Sequence, residues 1–183
     1  MSAERPEIPD TSPVPTETKD WTVVLTEGCA DCGFDPGFDV TTTGERVRAT
    51  TERWAAVLDR LGMTDRPRPG TWSPLEYACH VRDLCRVFRE RLRLMLTEED
   101  PVFPAWDQDA DAVADRYNLQ DPYEVSGQLA QELRATADAF DAVGDEQWSR
   151  PGRRGDGKDF TVASFAAYFL HDVEHHLRFD VRG

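Results

Sequence analysis

Trp72-Ser73-Pro74-Leu75-Glu76-Tyr77-Ala78-Cys79-His80-Val81-Arg82-Asp83 is the stretch that decides how this chain folds. Ser73 is an N-cap residue, Pro74 fits the first helical position, and Glu76 stands where its carboxylate can reach back to the cap. Two orphan backbone donors are thereby satisfied, so a helix is predicted from Ser73 to about Thr97. Asp121-Pro122-Tyr123-Glu124 repeats the grammar, and Val125, Leu129, Leu133, Thr136, Phe140 and Val143 give that helix a buried stripe before Gly144. Upstream, Val47, Thr51, Trp54, Leu58 and Leu61 form the stripe of a helix ending near Gly62. Downstream, Thr161 caps a last helix carrying Val162, Phe165, Phe169, Val173 and Leu177 on one side. Four such helices, with a long 98–120 connector and no internal repeat, predict an all-α, antiparallel up-down four-helix bundle over residues 41–183.

Residues 1–20 are rich in Pro, Thr, Ser and Glu and hold almost no large apolar side chain, so they are expected to form a disordered tail. Residues 21–40, with the run WTVVL and then Cys29-Ala-Asp-Cys32-Gly33, are too short for a domain and are expected to lie as an extended strap across the helices.

The 183 residues carry 35 carboxylates against 21 Lys and Arg, a formal charge of −14. That surplus repels phosphate backbones and anionic lipid, so nucleic acid and membranes are not expected partners. No stretch approaches the roughly 20 apolar residues that span a bilayer, and the N-terminus lacks a basic start and an apolar core. A cytoplasmic protein is expected, and its four cysteines then read as thiols or ligands rather than structural disulfides.

His171 and His175 stand four residues apart on the last helix, on neighbouring turns of one face, where they can chelate one ion. If the helix bearing His80 runs antiparallel or diagonal to it, three imidazoles converge. Three nitrogen ligands suit zinc, nickel or another late first-row ion and leave positions open for water or substrate. The same spacing also arises by chance, and a helix C-terminus favours imidazoles without any metal. The face holding His171 and His175 also carries Ser164, Ala167, Tyr168, Glu174 and Arg178, so it lines either a polar cleft or open water. His176 points roughly 100° from His175 and is not expected in the same site.

The motifs Trp72-Ser73-Pro74-Leu75-Glu76, Cys79-His80-Val81-Arg82-Asp83 and His171-Asp172-Val173-Glu174-His175-His176 together resemble the DinB-like superfamily over residues 40 to 180. The resemblance implies a four-helix bundle with a divalent metal on His80, His171 and His175. It also implies a transferase or isomerase chemistry that uses a low-molecular-weight thiol such as mycothiol, bacillithiol or glutathione. The acidic balance and the cysteine segment are not required by the family pattern.

Cys29-x-x-Cys32-Gly33 reads as half a zinc knuckle, a redox pair, or merely a turn; folded over the metal mouth, it would bring a thiol to the site. Cys79 and Cys85 read as small buried residues. Arg150, Arg153, Arg154 and Lys158 cluster in a Gly-rich connector, where Arg153 and Arg154 are candidates to hold a substrate carboxylate, against the alternative of a solvated loop.

Two function classes follow. One is a metal-dependent thiol S-transferase that presents a thiolate to a small electrophile, with Asp83, Tyr168 and Glu174 orienting ligands or substrate; hydrolysis by metal-activated water is its variant. The other is a non-enzymatic metal-binding or stress-associated module, working as a homodimer through an exposed bundle face.

Overall fold

A computed structural model describes Ser12 and residues 14–183, so the tail expected at 1–20 lies, for residues 1–11 and 13, outside the described residues. Ser12 and residues 14–20 carry no helix or strand. Asp20 then caps a 3-10 turn, Trp21–Val23, that runs into the single turn α1, Val24–Glu27. The strap is thus a turn, a helical turn and a closed loop rather than an extended segment.

The first bundle helix is broken into α2, Thr43–Ala49, and α3, Thr51–Leu58. At the break the Thr50 hydroxyl donates to the Val47 carbonyl at 2.7 Å, a back-bond that competes with the helix ladder. Trp54, Val57 and Leu58 are buried, but the helix stops at Leu58 and leaves Leu61 fully exposed, so Leu61 is not part of the expected stripe.

The helix α4, Pro74–Thr97, has the predicted limits. The Glu76 amide donates to Ser73 Oγ at 3.2 Å and the Ser73 amide donates to the Glu76 carboxylate at 2.8 Å, closing the capping box. The following connector holds β1, Val102–Phe103, and α5, Gln108–Ala114. Asp121 caps α6, Pro122–Asp141, and accepts from the Tyr123 and Glu124 amides. The connector read as a Gly-rich basic loop is a hairpin of β2, Pro151–Arg154, and β3, Asp159–Thr161, with β1 parallel to β2 at its edge. Thr161 caps α7, Val162–His175, which widens into a π turn over His176–Asp180.

The four-helix bundle is present, but its directions are not strictly alternating. Arg82, Arg86 and Arg89 of α4 meet Gln128, Glu132 and Thr136 of α6 in the same order, so these helices run parallel. Phe88 meets Phe165 and Phe169 while His80 meets His176, so α4 and α7 are antiparallel. Arg46 binds Glu174 and Arg53 binds the Gly183 carbonyl, so the first helix and α7 are parallel. The physical reason is the long link between α4 and α6, which carries the chain back along the bundle before α6 begins. Antiparallel pairing of α4 with α7 brings the start of one to the end of the other.

The core is aromatic around α7, with Phe88, Phe103, Phe140, Phe160, Phe165 and Phe169 all buried. Burial of each such side chain contributes roughly 1.5–3 kcal/mol. It fixes the rotation of α7 about its axis, and with it the directions of the four residues that carry the donors below.

Candidate metal centre

Among the described residues, donors that approach within 4.8 Å of one another fall into two groups: His80, Asp172 and His176; and Cys29, Cys32, His171 and His175. The expected trio of His80, His171 and His175 is therefore not brought together. The reason is helical rotation. Positions 171 and 175 lie on one face of α7, and a one-residue step turns positions 172 and 176 by about 100° toward α4.

In the first group, His80 is fully buried between two indole rings, with Trp106 stacked on it at 5.3 Å and Trp72 at 5.4 Å. Neither of its ring nitrogens has a hydrogen-bond partner, and Nε2 lies 3.8 Å from Asp172 Oδ1. A buried imidazole with two idle nitrogens is costly unless a ligand completes it. Burial also lowers the His80 pKa, outweighing Asp172, so the ring is neutral and donor-ready.

His176 is held between two carboxylates, with Nε2 2.9 Å from Asp172 and Nδ1 2.7 Å from Asp180. Burial pulls its pKa down, but the bonds to Asp172 and Asp180 prevail and push it up to about 9. Burial pushes Asp172 up, yet His176 and His80 hold its carboxyl well below the usual range. The group thus offers a neutral imidazole, an ionised carboxylate, and an imidazole whose proton an ion would displace. The residues fit a divalent ion with two nitrogens and one oxygen, and Asp180 is placed to orient His176 through its other nitrogen. Asp172 and His176 line a cavity of about 510 Å³ whose wall includes Trp21, Trp72, Tyr77 and Tyr168.

In the second group, burial lowers His175 and drops His171 to about 4, while burial pushes the Cys32 thiol up to about 11. His171 and His175 line the same cavity as Asp172 and His176, so the face that carries them borders a polar cleft rather than open water. The segment around Trp21 and Phe34 covers them, leaving them 3% and 5% exposed.

The remaining candidates are distributed elsewhere. Asp83 is bound by Arg82, Arg86 and the Tyr117 hydroxyl, which makes it the centre of a buried network one turn past His80. Glu174 forms a two-point pair with Arg46 and a third contact with Arg178, so it joins α2 to α7 rather than orienting a metal ligand. Tyr168 lines the cavity and packs on Phe160. Arg153 pairs with Asp159 on the exposed hairpin and Arg154 pairs with Asp156; neither lines the cavity. Cys79 and Cys85 are buried on α4, as expected. Asp172 and His176 were missed, although they show the same four-residue spacing as His171 and His175.

The family model described as DinB superfamily matches residues 9–179, and the chain belongs to that superfamily. A protein of Oceanobacillus iheyensis, named as a candidate metal-dependent hydrolase, is 29% identical over 137 residues, covering 73% of this chain and 78% of its own length. The structure of YfiT from Bacillus subtilis, described as a candidate metal-dependent hydrolase with an unusual four-helix bundle topology, superposes with a TM-score of 0.65. It is 21% identical, over 76% of this chain and 81% of its own, and shows the fold. No helix among the described residues is long and apolar enough to cross a membrane.

Proposed function

We propose that the chain is a metal-dependent enzyme whose divalent ion, zinc or nickel, is held by His80, Asp172 and His176. The observation that carries this reading is the buried His80 ring, with both nitrogens unpartnered, facing an ionised carboxylate and a second imidazole at the wall of a cavity. Of the donors that the resemblance implies, this reading keeps His80 on α4 and replaces His171 and His175 with Asp172 and His176 at the end of α7. An ion there supplies Lewis acidity, lowering the pKa of a thiol or water that joins it.

The chain's own residues bind and orient. Trp72 and Trp106 clamp the His80 ring, and Asp180 holds His176 at Nδ1. Lys19 and Arg68 line the same cavity and replace Arg153 and Arg154 as the candidates for a substrate carboxylate. Two nucleophiles suit this arrangement. Transfer from a small thiol to an electrophile is the reaction implied by the resemblance to thiol-using transferases. Hydrolysis is favoured by the names of both relatives. In either case the substrate is a small molecule, and Tyr168 and Tyr77 supply its aromatic walls.

The test is turnover of an electrophile panel by metal-loaded protein with and without a small thiol, comparing wild type with His176→Ala and Asp172→Asn. Thiol-dependent turnover lost in both variants supports transfer, and thiol-independent turnover lost in both supports hydrolysis. Metal-loaded wild type that turns over nothing in either format overturns the enzymatic reading in favour of an interaction module.

A further inference from the structure

The geometry points to a second metal site, separate from the proposed catalytic centre: a closed structural zinc held by Cys29, Cys32, His171 and His175. It is independent of the reading above, because none of its donors is shared with His80, Asp172 and His176.

The two sulfurs come from a loop built to present them. The Gly33 amide donates to the Cys29 carbonyl at 2.8 Å and the Cys29 amide donates to the Phe34 carbonyl at 3.0 Å. Gly33 takes φ of +74°, a left-handed conformation that glycine adopts without strain. This turn brings a sulfur of each cysteine within 4.8 Å of a nitrogen of His171 and of His175. One pair is already at ligand-to-ligand spacing, since Cys29 Sγ lies 3.5 Å from His175 Nδ1. A tetrahedron with Zn–S about 2.3 Å and Zn–N about 2.0 Å has a mixed edge of about 3.5 Å.

His171 gives a second observation that points to a ligand. The residue is 3% exposed, and its Nε2 is buried without any hydrogen-bond partner. A Cys29–Cys32 disulfide would leave that nitrogen as idle as before, and all four cysteines are free. Zinc satisfies both thiols and both imidazoles at once. Four protein donors fill its shell, so this site has no position for substrate. Aromatic rings enclose it, with Trp21 4.9 Å from His175 and Phe34 5.3 Å from His171. Its role is to staple the 21–40 segment onto α7, and so to seat Trp21 and Asp31 in the wall of the cavity that His171 and His175 also line.

The test uses the full chain, purified without a histidine tag and under reducing conditions. Elemental analysis should show that Cys29→Ser/Cys32→Ser loses one zinc per chain relative to wild type. Wild type reconstituted with cobalt(II) should show an intense thiolate-to-cobalt charge-transfer band, which His80→Ala retains. The cobalt spectrum is read on wild type, so it stays decisive if the double variant fails to fold. Zinc content unchanged in a folded double variant, absence of the charge-transfer band, or a Cys29–Cys32 disulfide in the reduced preparation would each overturn the site. Failure of the catalytic centre is distinguishable: it would remove metal or turnover dependent on His80 and leave the thiolate band in place.

Discussion

The two faces of the last two turns of α7 carry the same element of sequence grammar, a donor followed four residues later by a histidine, and both border one cavity, but they meet different partners. His171 and His175 look toward a loop that offers two sulfurs and a lid of aromatic rings. Asp172 and His176 look toward His80 and the wall of a cavity. A soft, four-donor set fills an ion's shell and suits one that holds structure; a three-donor nitrogen and oxygen set leaves positions open and suits one that meets substrate. The comparison teaches that donor spacing on a helix does not determine chemistry. What the neighbouring element brings determines it.

The sharpest way to break the comparison is to show that stability and metal binding do not separate near His80. Asp83→Asn should leave the buried Arg82 without its counter-charge and cost about 3–5 kcal/mol in urea unfolding, with metal content unchanged in the folded fraction. Loss of metal instead would move Asp83 into the centre. The same carboxyl predicts a pH dependence. Burial pushes Asp83 up, but Arg82, Tyr117 and Arg86 hold it below its ordinary 3.8. Its contribution is therefore fully present above the unfolded value near 3.8 and is lost as the pH falls through the lower folded value. An acid-unfolding titration should show a shallower acid limb in Asp83→Asn than in wild type.

Next in size, Asp180→Asn removes a charged partner of His176 Nδ1 and should weaken the His80 centre for zinc by about 10- to 100-fold in a competition titration. The same carboxylate lies 3.7 Å from His175 Nε2, so the thiolate–cobalt site of the other group should weaken by much less. A comparable drop in both would mean that the two groups act as one. Ser73→Ala opens the capping box of α4 and should cost about 1 kcal/mol with no change in either metal signal. The smallest effect is expected from Arg153→Ala, which removes only an exposed pair with Asp159; affinity for an anionic thiol should be unchanged, and stability should move by less than about 0.5 kcal/mol.

Much of this was legible in the chain itself. Ser73-Pro74-Leu75-Glu76, Asp121-Pro122 and Thr161 mark helix starts through hydrogen bonds that span only three residues, so local sequence suffices. The buried stripes of α6 and α7 follow from helical period alone. Leu61 was misread because period cannot tell where α3 ends. The parallel run of α4 and α6 was hidden because a long connector permits either direction.

For the site, the sequence by itself showed a histidine near the start of α4, the His171 and His175 pair at the end of α7, and two cysteines one tight turn apart, but not the role of the interleaved Asp172 and His176. Only the tertiary structure decided how they are shared. Packing of Phe165 and Phe169 against Phe88 and Phe140 sets the rotation of α7. A turn of about 100° is the whole difference between His80 meeting His175 and His80 meeting His176. That angle is fixed by contacts between residues far apart in the chain, which local spacing does not encode.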